Sequence, residues 1–359
     1  MKLYLRTKQF WRSLQYLAAI ISKRKIFPFW AYITLTRKCN LNCPYCYVLD
    51  DSAPDLSIAD TITAVNKLYQ LGTRWISFTG GEPTLKRAEL LAGIRQASLK
   101  KGIFTQLATN GTLLNQEYLA ALGQAGLDLL DISLDSLAKH KSQKGLLDKN
   151  EKFSTEILAA QKKYGFILKS NFVLNKENIN EVEELLEFCH KHMILLSLRM
   201  VFPSPGKSAV HRPQESGFFT KNDLPKIKKA VDLIIEKKKQ GYLLTEPISY
   251  YLLWKKYLVE SGQGRDLWEC EAGEHCLGVD TDGMVRICNS LPAAEGRTDL
   301  HISKLDKKYY KLLQEQAKET KKYCQSKCLS AAYYCSQYYH RHPFSFLKDN
   351  FYKKQYFGK

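Results

Sequence analysis

The chain lacks an apolar run long enough to cross a bilayer. Tyr16 to Ile21 is the apolar stretch of its N-terminal segment, far short of the ~20 residues a spanning helix needs. No clear small-residue cleavage site follows it, so a secretory signal peptide is not expected. No recognised RNA-binding module is present, so nucleic acid is not the expected partner. Acid is scarce relative to base: 36 Asp and Glu stand against 54 Lys and Arg, a formal net charge of +18. A field of that sign draws nucleic acid, anionic lipid or an acidic substrate, or is a solubilising lysine coat. The 359 residues allow one large domain and a smaller one, and a hydrophobic content of 45% allows a sizeable core.

Cysteine is plentiful, with ten residues. In a chain of this length, clustered at short spacings, they read as metal ligands rather than disulfide halves. Thiolate ligands need a reducing compartment, so the expected location is the cytoplasm. The densest group is TRKCNLNCPYCY, Thr36 to Tyr47, where Cys39, Cys43 and Cys46 form a C-x3-C-x2-C spacing. Three thiolates can hold three corners of a [4Fe–4S] cube and leave the fourth iron open to a small molecule. A structural zinc site is the competing reading, but the paired cysteines that zinc favours are missing nearby.

This stretch resembles the cluster loop of the radical SAM superfamily, in which the last cysteine follows an aromatic residue, here Tyr45. The resemblance implies that S-adenosylmethionine (SAM) chelates the open iron, and that its reductive cleavage gives a 5′-deoxyadenosyl radical that abstracts hydrogen. It also implies a small reductant such as flavodoxin or ferredoxin. The cofactors perform this chemistry; the protein positions them and excludes water.

Downstream, apolar strand-like runs alternate with helical patterns. Strands are expected over Ala31–Leu35, Trp75–Phe78, Phe104–Ala108, Leu129–Leu134, Ile167–Leu174 and Leu195–Phe202. The intervening helices are Ile58–Leu71, Arg87–Lys100, Gln116–Ala125, Ser154–Tyr164 and Asn180–Met193. Six such units predict an α/β fold with a parallel sheet, and the resemblance makes it a partial (β/α)6 TIM-type barrel. Polar residues gather at the C-terminal strand ends, where such folds place their sites. Gly80, Gly81, Glu82 and Pro83 match the family's GGEP motif, which holds the methionine amine; physically, two glycines let backbone approach a ligand closely. Thr109, Ser133, Asp135 and Asn171 lie at or near later strand ends, and the resemblance implies that this layer meets the SAM carboxylate and ribose. Ser133 and Asn171 are the favoured pair, and Arg199 on the sixth strand is a bidentate candidate for the carboxylate. For each, a cap or turn role is the other reading. Pro203 to Ser216 reads as a loop and candidate substrate lid, with His211 and Arg212 facing solvent or an anionic substrate.

A second cysteine field comprises Cys270, Cys276, Cys288, Cys324, Cys328 and Cys335. Asp282-Gly283 between two short β-like runs predicts a hairpin ending at Cys288, and Cys324 and Cys328 are spaced as one helical turn. Cys189 is expected to be a core thiol. The field resembles the SPASM/twitch extension, where a Gly-x4-Cys hairpin and later cysteines bind auxiliary [4Fe–4S] clusters. The late group departs from the full SPASM pattern, so one auxiliary cluster is expected, on Cys270, Cys276 and Cys288 and closed by one of the last three. Zinc is the alternative. Asn289 stands where sulfatase-maturing relatives carry an aspartate base, and an amide cannot accept a proton at neutral pH.

The expected organisation is a basic amphipathic helix over 1–30, a radical SAM partial barrel over 31–215, linking helices over 216–265, an iron–sulfur extension over 266–340 and a basic aromatic tail over 341–359. The two ends suit either contact with the inner face of a membrane or packing on the protein. The extension implies a peptide or protein substrate. The ends suggest a membrane lipid as the alternative, and a non-catalytic iron–sulfur electron-transfer or scaffold protein is the third reading.

Overall fold

The computed structural model describes residues 27–137, 156–202, 217–259, 268–291, 296–323, 328–342 and 344–345. The expected N-terminal amphipathic helix, the lid over 203–216, Cys324 and the tail from 346 lie outside the described residues.

Six strands follow in chain order, β1 (Trp30–Thr34), β2 (Trp75–Thr79), β3 (Phe104–Thr109), β4 (Leu129–Leu134), β5 (Ile167–Leu174) and β6 (Leu195–Met200). Each pairs in parallel with the one before it. The connecting helices are α1 (Ile58–Leu71), α2 (Arg87–Ser98), α3 (Gln116–Ala125), α4 (Leu158–Tyr164) and α5 (Val182–Lys191). The α/β alternation is as expected, and β6 is the last named strand of the sheet, its outer side joined by the 243–245 segment through a single parallel bridge of Leu196 with Leu244. Helix α1 shows why the elements begin and end where they do. Ser57 Oγ accepts from the amide of Asp60 at 3.0 Å, an N-cap of the kind worth about 1 kcal/mol. Thr61, Ala64, Val65, Leu68 and Leu71 repeat at helical spacing and are buried. Gly72, at φ 112°, then ends the helix in a left-handed conformation that disfavours other residues.

Beyond β6 come α6 (Leu224–Lys239), α7 (Ile248–Val259), β7 (Cys276–Val279), β8 (Met284–Arg286), β9 (Arg297–His301), α8 (Lys307–Tyr323) and α9 (Ala331–Arg341). The hairpin predicted around Asp282-Gly283 forms between β7 and β8, with Gly283 at φ +78°. It is not a free-standing unit. Strand β7 lies parallel to β1, from Trp30 opposite Cys276 to Ile33 opposite Val279. The sheet is therefore nine strands wide, in the order β6-β5-β4-β3-β2-β1-β7-β8-β9.

The N-terminal end of the six-strand array is plugged by apolar side chains. Trp30, Trp75, Phe104, Leu129, Ile167 and Leu195 surround a cavity of about 50 Å³, and α9 lays Cys335, Ser336 and Tyr339 against it. Helix α9, which precedes the aromatic tail, thus packs against the floor. Above this floor lies a buried polar layer, in which Asp131 Oδ2 accepts from Lys169 at 2.9 Å and from Gln106 at 2.8 Å. Such a layer is tolerated because its charges are paired.

Candidate functional site

The loop between β1 and α1 carries the three cysteines, Cys43 buried and Cys39 and Cys46 half-buried. The amide of Cys46 donates to the carbonyl of Cys43 at 3.0 Å, closing a turn that brings these two thiols round. The loop is fixed at its base by the amide of Leu56, which donates to the carbonyl of Leu35 at 2.9 Å, and by Thr36 Oγ1, which donates to Asp55 at 2.7 Å.

The GGEP segment follows β2 and crosses the start of this loop. The amide of Gly81 donates to Thr36 O at 2.7 Å, and that of Glu82 to Lys38 O at 2.8 Å. A Cβ on Gly80 would lie 2.3 Å from Thr36 O, and one on Gly81 would lie 2.2 Å from Lys38 O. Both glycines are therefore required by the cysteine loop itself, a constraint the sequence reading had placed on the ligand alone. Glu82 is 1% exposed and also faces inward. Its Oε1 accepts from Thr84 N at 3.0 Å, from the Thr84 hydroxyl and from Thr109 Oγ1 at 2.7 Å, while Oε2 accepts from Asn110 N at 2.8 Å. Glu82 thus clasps the end of β2 to the end of β3. Thr109, predicted beside a ligand, has its hydroxyl engaged in this clasp.

Asn110 and Asp135 extend the same bracing. Asn110 Nδ2 donates to Asn40 Oδ1 at 2.9 Å and reaches Cys39 Sγ at 3.9 Å. The hydroxyl of Tyr45 donates to Asp135 Oδ2 at the end of β4. Burial, and then the Asp135 carboxylate, hold the Tyr45 phenol well above its usual pKa, so it remains a donor. Ser133 and Asn171 stand opposite one another on β4 and β5. Asn171 Oδ1 is buried and accepts no hydrogen bond. Arg199, the bidentate candidate on the sixth strand, turns toward the floor. It lines the floor cavity and its Nε donates to Ser197 Oγ at 3.3 Å. Burial opposes its charge, but Asp131 and Glu246 raise its pKa further, so it belongs to the buried polar layer.

The second cysteine field separates. Cys270, Cys276 and Cys288 gather in one cluster with Ala272, Leu291 and Tyr333. Burial, followed by Cys288 and Cys270, pushes the Cys276 thiol well up. Cys335 is not brought to them. It packs with Phe27, Phe29, Phe104 and Leu195 in the floor, because the face of α9 that carries it also carries Tyr339 inward. Cys328 does approach. Its carbonyl accepts from Trp268 Nε1 at 3.2 Å, beside the Cys270 cluster. Cys328 itself is not helical, and Cys324, the other half of the predicted helical turn, lies outside the described residues. Tyr47 lies within electrostatic reach of both thiol groups. Burial raises its pKa to about 12, a hydrogen bond with Ser290 opposes this, and Cys328, Cys288 and Cys46 add to the rise. Cys189, on α5, is a buried core thiol as expected. Asn289 packs its Oδ1 against β7, where a Cβ on Gly278 would meet it at 2.3 Å.

Sequence reading missed Arg37, Asn110 and Asp280. Arg37, two residues before Cys39, donates to Asp280 Oδ1 at 3.0 Å and to Oδ2 at 2.8 Å, and Arg286 Nη1 reaches the same Oδ2 at 2.6 Å. No local pattern joins residues so far apart in sequence; only Asn110, in a strand-end Asn-Gly, gave a visible signal.

Residues 33–189 match the model of the Radical SAM superfamily. Over those residues the chain carries a radical SAM domain, and the protein is an enzyme. Its fold is similar to that of SuiB from Streptococcus suis bound to S-adenosylmethionine, at a TM-score of 0.55 and 16% identity over 84% of this chain and 71% of that one. SuiB bound to its precursor peptide SuiA gives a TM-score of 0.56 at 16% identity, over 84% of this chain and 70% of that one. The enzyme anSMEcpe with bound AdoMet and Kp18Cys peptide gives 0.59 at 17% identity, over 89% of this chain and 97% of that one.

Proposed function

We propose that this enzyme modifies a peptide or protein by hydrogen abstraction, with SAM held between the Cys39–Cys46 loop and the inward faces of β4 and β5. One observation carries the reading: the cysteine loop and the GGEP segment are hydrogen-bonded to one another over the C-terminal ends of the strands. The buried, unsatisfied Asn171 Oδ1 beside Ser133 fits a polar ligand there. When bound, the [4Fe–4S] cluster and SAM supply the carbon radical that removes hydrogen from substrate.

The chain's own residues hold and orient. Cys39, Cys43 and Cys46 are the ligands of the catalytic cluster, and Asn110 is placed to donate to Cys39 Sγ. Glu82 keeps the GGEP backbone in place, and Tyr45 anchors the loop to Asp135. Ser133 and Asn171 face the carboxylate and ribose of SAM. Cys270, Cys276, Cys288 and Cys328 form a SPASM/twitch-like auxiliary site, with Tyr47 within electrostatic reach of both thiol groups. The amide of Asn289 does not act as the base that sulfatase-maturing relatives carry. That SuiB and anSMEcpe have been captured with peptides supports a peptide substrate.

The test is anaerobic. The reconstituted protein receives SAM and dithionite, and 5′-deoxyadenosine is followed beside a Cys39→Ala/Cys43→Ala/Cys46→Ala variant. Deoxyadenosine from the wild type alone, with about eight irons per chain against about four, is the expected result. Absence of deoxyadenosine with the first cluster intact would sink the enzymatic reading. Stimulation of deoxyadenosine formation by lipid vesicles and not by peptides would replace the substrate class.

A further inference from the structure

We infer that Glu271, His275 and His340 form a second metal site, independent of the cysteines, which takes a zinc-class divalent cation and ties α9 to the floor of the barrel. One carboxylate oxygen of Glu271 and one imidazole nitrogen of each histidine all lie within 4.8 Å of one another. The two imidazoles are in contact, with ring centroids 3.8 Å apart.

The hydrogen bonding sets the ligand atoms. His275, 3% exposed, directs Nδ1 to the carbonyl of Phe27 at 3.3 Å. A carbonyl only accepts, so Nδ1 carries the hydrogen, as in many metal-bound histidines whose far nitrogen is fixed by a backbone oxygen. In the neutral ring Nε2 is then the lone-pair nitrogen, and it faces Glu271 Oε2 at 3.3 Å. Glu271 Oε2 is itself buried and accepts no hydrogen bond. Two lone pairs facing across that distance repel unless a cation lies between them, either a proton on His275 or a metal. His340 decides for the metal: a proton would be served by the Glu271–His275 pair, whereas a third donor at the same point makes a coordination set. Arg341 donates to the other oxygen of Glu271 at 2.8 Å and to Glu269 at 2.9 Å, so Glu271 is oriented and the Arg341 charge is balanced by a second carboxylate.

Two imidazoles and one carboxylate suit zinc, with a water in the remaining position. The three residues join segments distant in sequence. Glu271 and His275 lie in the loop leading to β7, His340 is on α9, and the Phe27 carbonyl belongs to the segment entering β1. Occupancy would lock the helix over the cavity beneath the active site.

The test uses the full chain with its iron–sulfur clusters assembled anaerobically, so that the cysteines are already occupied by iron. Zinc is titrated against a chromogenic chelator, and zinc and iron are counted. We expect about one zinc per chain, a rise in thermal midpoint on adding it, and at least a tenfold loss of zinc affinity in both His340→Ala and Glu271→Gln at unchanged iron content. No zinc uptake by the wild type, or equal uptake by both variants, overturns the proposal; in the latter case the ion sits on cysteine. Should His340→Ala fail to fold, the near-isosteric Glu271→Gln decides by the same readouts.

Discussion

Arg37 and Asp280 form a bidentate ion pair, 2.8 Å at its closest, between residues 243 positions apart. It fastens the start of the cysteine loop to the end of β7, and Arg286 shares the same carboxylate.

Asp280→Ala should therefore destabilise the fold by about 3–5 kcal/mol, because it strands the buried guanidinium of Arg286 and the partly buried one of Arg37. Urea denaturation at neutral pH measures it. The acid limb adds a sign. Burial raises the Asp280 pKa, but Arg286 and Arg37 outweigh it and hold the carboxyl below its ordinary 3.8. Its contribution is complete above that value and is lost as pH falls through the lowered one. Asp280→Asn should show a flatter loss of stability below about pH 4. An unchanged acid limb in this variant would show that the pair contributes nothing.

The Glu82 clasp predicts a split between two variants. Glu82→Ala leaves Asn110 N, Thr84 N and two hydroxyls without their acceptor and should cost at least 3 kcal/mol. Thr109→Val removes one donor and should cost about 1 kcal/mol. Equal losses in chemical denaturation would contradict the hydrogen-bond pattern.

Gly80→Ala places a methyl group 2.3 Å from the Thr36 carbonyl. The expected outcome is a displaced cysteine loop and failure to assemble the first cluster, with the second retained. Iron counting reads it as about half the wild-type content.

Cys328→Ala and Cys335→Ala should behave differently. The first should lower the iron content and the second should leave it unchanged, because Cys335 packs among aromatic rings in the floor. Equal iron loss in both variants would place Cys335 back among the ligands.

Asn171→Ala should weaken SAM binding about tenfold, the equivalent of one hydrogen bond, without lowering stability. The second half follows from an Oδ1 that accepts nothing in the folded chain. Calorimetric titration with SAM and a thermal melt give the two numbers.

Much of this was legible in the sequence, and for local reasons. The six strands and the helices between them announce themselves through apolar runs, caps such as Ser57 and breaks such as Gly72. The positions of Cys39, Tyr45 and Glu82 followed from spacing. Direction did not. Spacing counts Cys335 as a thiol, but only the face of α9 shared with Tyr339 says that it points into the floor. Arg199 was placed on the right strand, but strand position does not say that its side chain lines the floor cavity near Asp131 and Glu246. Most opaque were the long-range pairs: Arg37 with Asp280, and Trp30 with Cys276, leave no periodic trace.

That last pairing sets an order of events during synthesis. Strand β1 is made early, but its second neighbour emerges from the ribosome only some 240 residues later, when β7 appears. Until then the stretch Trp30–Thr34, WAYIT, has one edge without its final partner. A bare apolar strand edge is the kind of surface that captures other chains. Nascent or shortened chains ending before Cys276 should thus be chaperone clients, and the barrel should not be recoverable as a free-standing fragment.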